Sequence, residues 1–207
     1  MFEKVLSKNA LNAIAVLAPE LKAFYLAGGT GLALQIGHRK SADLDFFSES
    51  VFDAERFRDE MPACRVSLVR KGTLHCEVDN VKMSFLYYKQ PLMYPAVSWN
   101  GLEIADWRDI TAEKFKTIAQ RGSKKDFYDL YAVLKLKLSL KAACGIFKAR
   151  FGSAGISMYH VLRGLTYFDD AESESSPKLL MRGKDWEWKS VKAFFTGNIK
   201  AFERNLV

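Results

Sequence analysis

Residues 23–47 constrain the fold more than any other stretch. A short apolar segment, 23–27, runs into Gly28 and Gly29. A compact apolar run follows and stops at Gly37, and a polar connector then leads to Asp43-Leu44-Asp45-Phe46-Phe47. The predicted order is strand, glycine turn, helix, connector, strand. Glycine permits a tight turn and close approach of a ligand to the backbone. A helix opening on such a turn offers free N–H groups and positive dipole character to a phosphate, and Thr30 adds a hydroxyl. Residues two apart on a strand share a face, so Asp43 and Asp45 point together while Leu44 and Phe46 enter the core. Two carboxylates on one face repel unless a cation lies between them. Magnesium takes one or two carboxylates together with substrate phosphates. The segment therefore describes a site for a nucleoside triphosphate and a divalent cation. The bland alternatives are solvated acids at a strand end and glycines that serve turn geometry alone. A dinucleotide-binding fold fits poorly, because Leu34 stands where the third glycine of that fingerprint belongs.

The chain has 207 residues and is 49% hydrophobic, enough for one sizeable core or two small ones. Its formal charge is +7, and the placement of that charge is more informative than the sum. No acid occurs from Leu130 to Phe168, where Lys135, Lys137, Lys141, Lys148, Arg150 and Arg163 fall. Lys114, Lys116, Arg121, Lys124 and Lys125 come shortly before. This is either a solvated basic helix face or a surface that follows a nucleic-acid backbone. Cys64, Cys76 and Cys144 are scattered and odd in number, so they read as reduced thiols of a cytoplasmic protein. No apolar run approaches the roughly 20 residues that cross a membrane, and no membrane association is expected. Residues 10–18 read as an amphipathic helix burying Leu11, Ile14, Ala15 and Ala18.

The expected fold class is α/β (α+β): a small mixed-sheet domain over residues 1–98, then a helical domain over 99–207. Asp53 should cap a helix over 53–60. Strands are expected over 65–70, 74–78 and 81–88, with Asp79-Asn80 as the turn between the last two. Helices are expected over 110–121, 125–136, 140–151 and 156–168, then an acidic loop over 169–177. Asp185 should cap one long final helix carrying Trp186, Val191, Phe194, Phe195, Ile199 and Phe202.

Gly28-Gly29-Thr30 with Leu32-Ala33-Leu34, followed by His38-Arg39, Ser41 and Asp43-Leu44-Asp45-Phe46-Phe47, resembles the nucleotidyltransferase superfamily that includes DNA polymerase β. More narrowly it resembles the AbiEii branch, the toxin components of type IV toxin–antitoxin systems and their stand-alone relatives. Asp109-Ile110, Ala112 and Lys114, then Arg121 to Tyr131, are similar to that branch's later motifs. So are Tyr167 to Glu172 and the Trp-rich tail. The resemblance spans nearly the whole chain.

It implies a nucleotidyltransferase dependent on Mg2+, with Mn2+ as substitute, in which an acceptor hydroxyl attacks the α-phosphate and pyrophosphate leaves. It implies that Gly28, Gly29 and Thr30 hold the triphosphate and that Asp43 and Asp45 bind the metal. Lys114 would contact phosphate, and Asp126 would orient or deprotonate the acceptor hydroxyl. Arg39 would reach the nucleotide or tie the connector to the Asp-Leu-Asp strand. The acceptor is expected to be RNA, such as the 3′ end of tRNA. A protein or small-molecule acceptor, and a non-catalytic binding module on the same fold, are the alternatives. The branch also implies a cognate antitoxin as partner. By residue chemistry alone, Lys114 also reads as an ordinary exposed lysine, and Asp126 as a surface acid paired with Lys125 or Arg121. His38 reads as a surface histidine. One departure stands out: many relatives carry a third carboxylate on a later strand, where this chain aligns Ser84. Asp126, or less well Glu77 or Asp79, would have to supply it, or the chain is impaired.

Overall fold

The computed structural model describes residues 1–61 and 64–207. The chain divides into two compact units, Met1–Asp106 and Trp107–Val207. In the first, helix α1 (Lys8–Leu17) precedes strand β1 (Tyr25–Leu26), helix α2 (Gly28–Ile36), strand β2 (Leu44–Ser48) and helix α3 (Ala54–Glu60). Strands β3 (Arg65–Arg70), β4 (Thr73–Val78), β5 (Val81–Tyr87), β6 (Val97–Trp99) and β7 (Leu102–Ile104) follow. All seven form one mixed sheet in the order β3-β4-β5-β2-β1-β7-β6. β2 is parallel to β5 and β1 to β7, and the other neighbours are antiparallel.

Local chemistry explains most boundaries. Ser7 Oγ accepts from the Ala10 N–H and starts α1. That helix buries Ala10, Ala13, Ile14 and Leu17, a face turned by one residue from the expected one, with Ala15 exposed. Gly37, at φ +76°, ends α2 in the left-handed region. Asp53 Oδ1 accepts from the N–H groups of Glu55 and Arg56 and caps α3. Asp79 and Asn80 both have positive φ, the geometry of a two-residue hairpin turn whose twist matches its strands. Asn100 and Gly101 repeat it between β6 and β7. That second hairpin was not expected. Its strands are too short to show alternation, and it carries the first unit through to Asp106 by adding beside β1.

Leu44, Phe46, Met83 and Phe85 fill the inner face of β2 and β5. The Phe46 and Phe85 rings stack 5.1 Å apart, and burying each contributes roughly 1.5–3 kcal/mol. That packing holds the alternate residues of both strands on the opposite, open face. His38 departs from expectation: it is fully buried. The first residues of the chain cover the connector beside it. The Phe2 ring packs on Gly37, the Phe2 N–H donates to the Leu34 carbonyl, and the Ser41 N–H donates to the Val5 carbonyl.

The second unit is helical: α4 (Trp107–Gln120), α5 (Lys124–Leu136), α6 (Leu140–Phe151), α7 (Met158–Gly164), α8 (Asp169–Glu172), α9 (Trp188–Gly197) and α10 (Ile199–Leu206). Phe115 packs on Phe147 and Phe202, and Phe127 on Phe168, Trp188 and Phe195. α7 is shorter than expected at both ends. Gly164 closes it against α4, where a Cβ would stand 2.8 Å from Ala119 Cα. The expected final helix is two helices, broken at Asn198. Asp185 lies in a 3-10 turn and caps neither. Its carbonyl instead accepts from the Tyr131 hydroxyl at 2.9 Å.

Candidate active site

Ala27 links β1 to the glycine turn. Its N–H donates to the Asp45 carbonyl, and its own carbonyl accepts from the Gly31 N–H, both at 2.9 Å. Gly28 sits between these anchors with φ +60°. A Cβ built there would lie 2.8 Å from Asp45 Oδ2 and 3.4 Å from Asp45 Cβ. Both the conformation and the space require glycine. The Asp45 carboxylate thus abuts the turn where α2 begins, whose leading N–H groups have no carbonyl partners within the helix.

Asp43 and Asp45 are half-buried, alternating with buried Leu44 and Phe46. The connector fixes them through a chain of hydrogen bonds. Arg39 Nη1 donates to Ser41 Oγ at 3.3 Å, and to the Lys40 carbonyl at 3.0 Å. Ser41 Oγ lies 2.7 Å from Thr30 Oγ1, and Thr30 Oγ1 donates to the Asp43 carbonyl. Arg39 and Thr30 are both buried. Of the two expectations for Arg39, the tie to the Asp-Leu-Asp strand is the one this geometry displays. The Thr30 hydroxyl is likewise turned toward the connector and Asp43.

Across the sheet, Asp45 pairs in register with Ser84, and Ser84 with His75. Both neighbours are half-buried on the open face, and His75 Nδ1 lies 3.1 Å from Ser84 Oγ. The position aligned with the missing carboxylate is therefore directly beside Asp45. The substitutes Glu77 and Asp79 are placed elsewhere. Glu77 takes a two-oxygen hydrogen bond from Arg65 Nη2, at 2.9 Å to each, and Asp79 lies in the exposed turn at the end of β4.

In the second unit, Lys114 on α4 and Asp126 on α5 come together. Lys114 Nζ lies 2.6 Å from both Asp126 Oδ1 and Asp129 Oδ2. Ser123 Oγ donates to Asp126 Oδ2 at 2.6 Å. All four residues are buried, Asp126 to 1% exposure. Lys114 is thus no exposed lysine, and Asp126 is no surface acid. Arg121, largely exposed, reaches it only at 3.9 Å. Burial alone would push the Asp126 carboxyl up. The Lys114 ammonium, with its hydrogen bond and that of Ser123, outweighs burial and the Asp129 charge and holds it below the usual carboxylate value. The roles of Asp129 and Ser123 were not anticipated. Ser123-x-x-Asp126 before an apolar run was the available signal.

The basic stretch divides between surface and core. Lys135, Lys137, Lys141, Lys148 and Arg163 are exposed. Arg150 is buried, with Nη1 2.5 Å from Asp109 Oδ1 and Nη2 3.1 Å from Glu113 Oε1. It binds α6 to α4. Lys124 is also buried; its N–H donates to Glu174 Oε2 at 2.8 Å.

Comparison with known proteins identifies the family. Residues 9–100 match the family model described as nucleotidyl transferase AbiEii toxin, type IV TA system. The chain is 36% identical over 190 residues to the uncharacterized protein aq_aa25 of Aquifex aeolicus (strain VF5), covering 88% of this chain and 89% of that one. Its fold is similar to MenT4, a nucleotidyltransferase toxin of Mycobacterium tuberculosis H37Rv. The TM-score is 0.62 at 15% identity, over 95% of this chain and 85% of that one. It is also similar to JHP933 of Helicobacter pylori, with TM-score 0.53 at 16% identity, over 97% and 94% of the two chains. A mixed sheet carrying a glycine turn against paired aspartates is the fold of a nucleotidyltransferase. The chain belongs to the AbiEii nucleotidyltransferase family. It is a transferase enzyme, and the reading as a binding module without chemistry is set aside. Among the described residues, no helix is long and apolar enough to cross a membrane.

Proposed function

We propose that this enzyme moves a nucleoside monophosphate from a nucleoside triphosphate to a hydroxyl of RNA, at the 3′ end of tRNA, with magnesium or manganese as cofactor. The observation that carries this reading is Gly28 seated on Asp45, which sets that carboxylate beside a helix start. Asp43 and Asp45 suit a hard cation shared with phosphates, because both are half-buried, oxygen-only and two residues apart at the start of β2. When bound, the cation supplies charge neutralisation for the triphosphate. Gly28, Gly29 and the backbone of Thr30 cradle the phosphates. Thr30 and Arg39 act through the connector, holding Asp43 in place. Lys114 is the phosphate-contacting cation of the second unit. Asp126 and Asp129 orient its ammonium. The exposed lysines of α5 and α6 favour RNA over a protein or small-molecule acceptor. On the family description, a cognate antitoxin is the proposed partner, a growth-inhibiting toxin role the proposed context, and the cytoplasm the proposed location.

The test incubates purified protein with magnesium, each labelled nucleoside triphosphate in turn, and total bacterial RNA. Label should enter a tRNA-sized band. Asp43→Ala and Asp45→Ala should each lower turnover at least about 100-fold, beyond the 10- to 100-fold typical of losing a residue that only supports a ligand. Near-normal turnover in either variant overturns the metal assignment. Label that enters added protein or a small molecule but no RNA overturns the acceptor.

A further inference from the structure

We infer that Ser84 and His75 together take the place of the third carboxylate: Ser84 Oγ meets the acceptor hydroxyl, and His75, acting through Ser84, receives its proton. The inference deepens the reading just given and rests on it. Ser84 stands beside Asp45 in the register of two parallel strands, which puts its side chain next to a phosphate held at Asp45. A serine hydroxyl is too weak a base to serve alone. Here it is hydrogen-bonded at 3.1 Å to an imidazole Nδ1 from the next strand, on the same open face. A hydroxyl within reach of a base is the arrangement that activates weak nucleophiles and relays protons.

The carboxylates that might otherwise serve are engaged. Glu77 is held by Arg65, and Asp126 is held below the usual carboxylate value by Lys114, which makes it a poor proton acceptor. The step balances. The acceptor oxygen bonds the α-phosphorus as its O–H bond breaks. The bond from that phosphorus to the bridging oxygen breaks, and pyrophosphate leaves with the electron pair. The proton passes to Ser84 Oγ while Ser84 gives its own to His75 Nδ1. His75 must therefore carry its resting proton on Nε2. Among the described residues, the charged groups on this face of the sheet are Asp45 on β2, Lys82 on β5, Glu77 on β4, Arg65 and Arg70 on β3, and Glu103 on β7, with Asp43 just before β2. His75 lies two strands from Asp45.

Two measurements test it. The first needs neither nucleotide nor metal. The 15N shifts of His75 in the free protein, assigned by their loss in His75→Gln, should show a proton on Nε2 and none on Nδ1. A proton on Nδ1 overturns the inference, because that nitrogen would then be a donor. The second is turnover. His75→Gln and Ser84→Ala should each lower kcat about 100-fold with triphosphate KM and the urea midpoint unchanged. Ser84→Asp in the His75→Gln background should restore turnover. Unchanged kcat in either variant, or no restoration by Ser84→Asp, overturns this inference alone. No transfer by wild type to any acceptor overturns the reading on which it rests, and the inference with it.

Discussion

Gly28 and Asp45 occupy one another's space: a methyl group on Gly28 would stand 2.8 Å from Asp45 Oδ2, inside any allowed contact. The glycine is also held at φ +60°, where side chains are rarely tolerated. Gly28→Ala therefore carries two separable costs. The backbone strain should lower stability by about 1–3 kcal/mol, readable as a shift in the urea midpoint. The displaced Asp45 carboxylate should lower turnover at least about 10-fold in protein that is still folded, an effect of the size seen when support for a metal ligand is lost. Stability loss with undiminished turnover would separate Asp45 from the chemistry.

Lys114 Nζ lies 2.6 Å from a carboxylate oxygen of both Asp126 and Asp129. Removing one partner of a buried pair typically costs about 3–5 kcal/mol. Lys114→Met should fall in that range, because it leaves two carboxylates facing each other, and Asp126→Asn should cost less. The pH dependence has a definite sign. Asp126 is held below its ordinary value of 3.8, so the unfolded chain binds its proton first on acidification. The stability it contributes is complete above that value and is lost as pH falls through the lower folded-state pKa. The urea-midpoint gap between wild type and Asp126→Asn should be constant near neutrality and close in acid. A gap that widens in acid contradicts the assignment.

The glycine turn and the strand carrying Leu44, Asp45, Phe46 and Phe47 were legible because their chemistry is local, set by conformation and spacing within a few residues; that strand runs Leu44–Ser48, one residue later than expected, so Asp43 precedes it. The Asp79-Asn80 turn was legible too, and it carries more than was drawn from it. A two-residue hairpin pairs Val78 with Val81, and stepping back along both strands brings His75 opposite Ser84. Other features depend on which residues converge in three dimensions. Lys114, Asp126 and Asp129 meet across two helices, and a charge run does not reveal that Arg150 turns inward while its neighbours turn out. His38 looked exposed because nothing in its own segment shows that Phe2 and Val5 fold back over the connector.

Arg150 and the exposed lysines around it should respond to substitution in opposite ways. Arg150 joins α6 to α4 through buried Asp109 and half-buried Glu113. Arg150→Met should therefore cost about 3–5 kcal/mol of stability and leave the salt dependence of RNA binding unchanged in the folded fraction. Lys141 and Lys148 are exposed on α6, so Lys141→Glu and Lys148→Glu should change stability by no more than about 0.5 kcal/mol. If RNA runs along this helix, each should make the slope of log binding constant against log salt shallower by about 0.7–0.9 per lost phosphate contact. Urea titration and RNA binding at several salt concentrations read both effects. Slopes unchanged in the lysine variants would place the RNA surface elsewhere. A shallower slope for Arg150→Met would mean that its buried ion pairs open to bind phosphate.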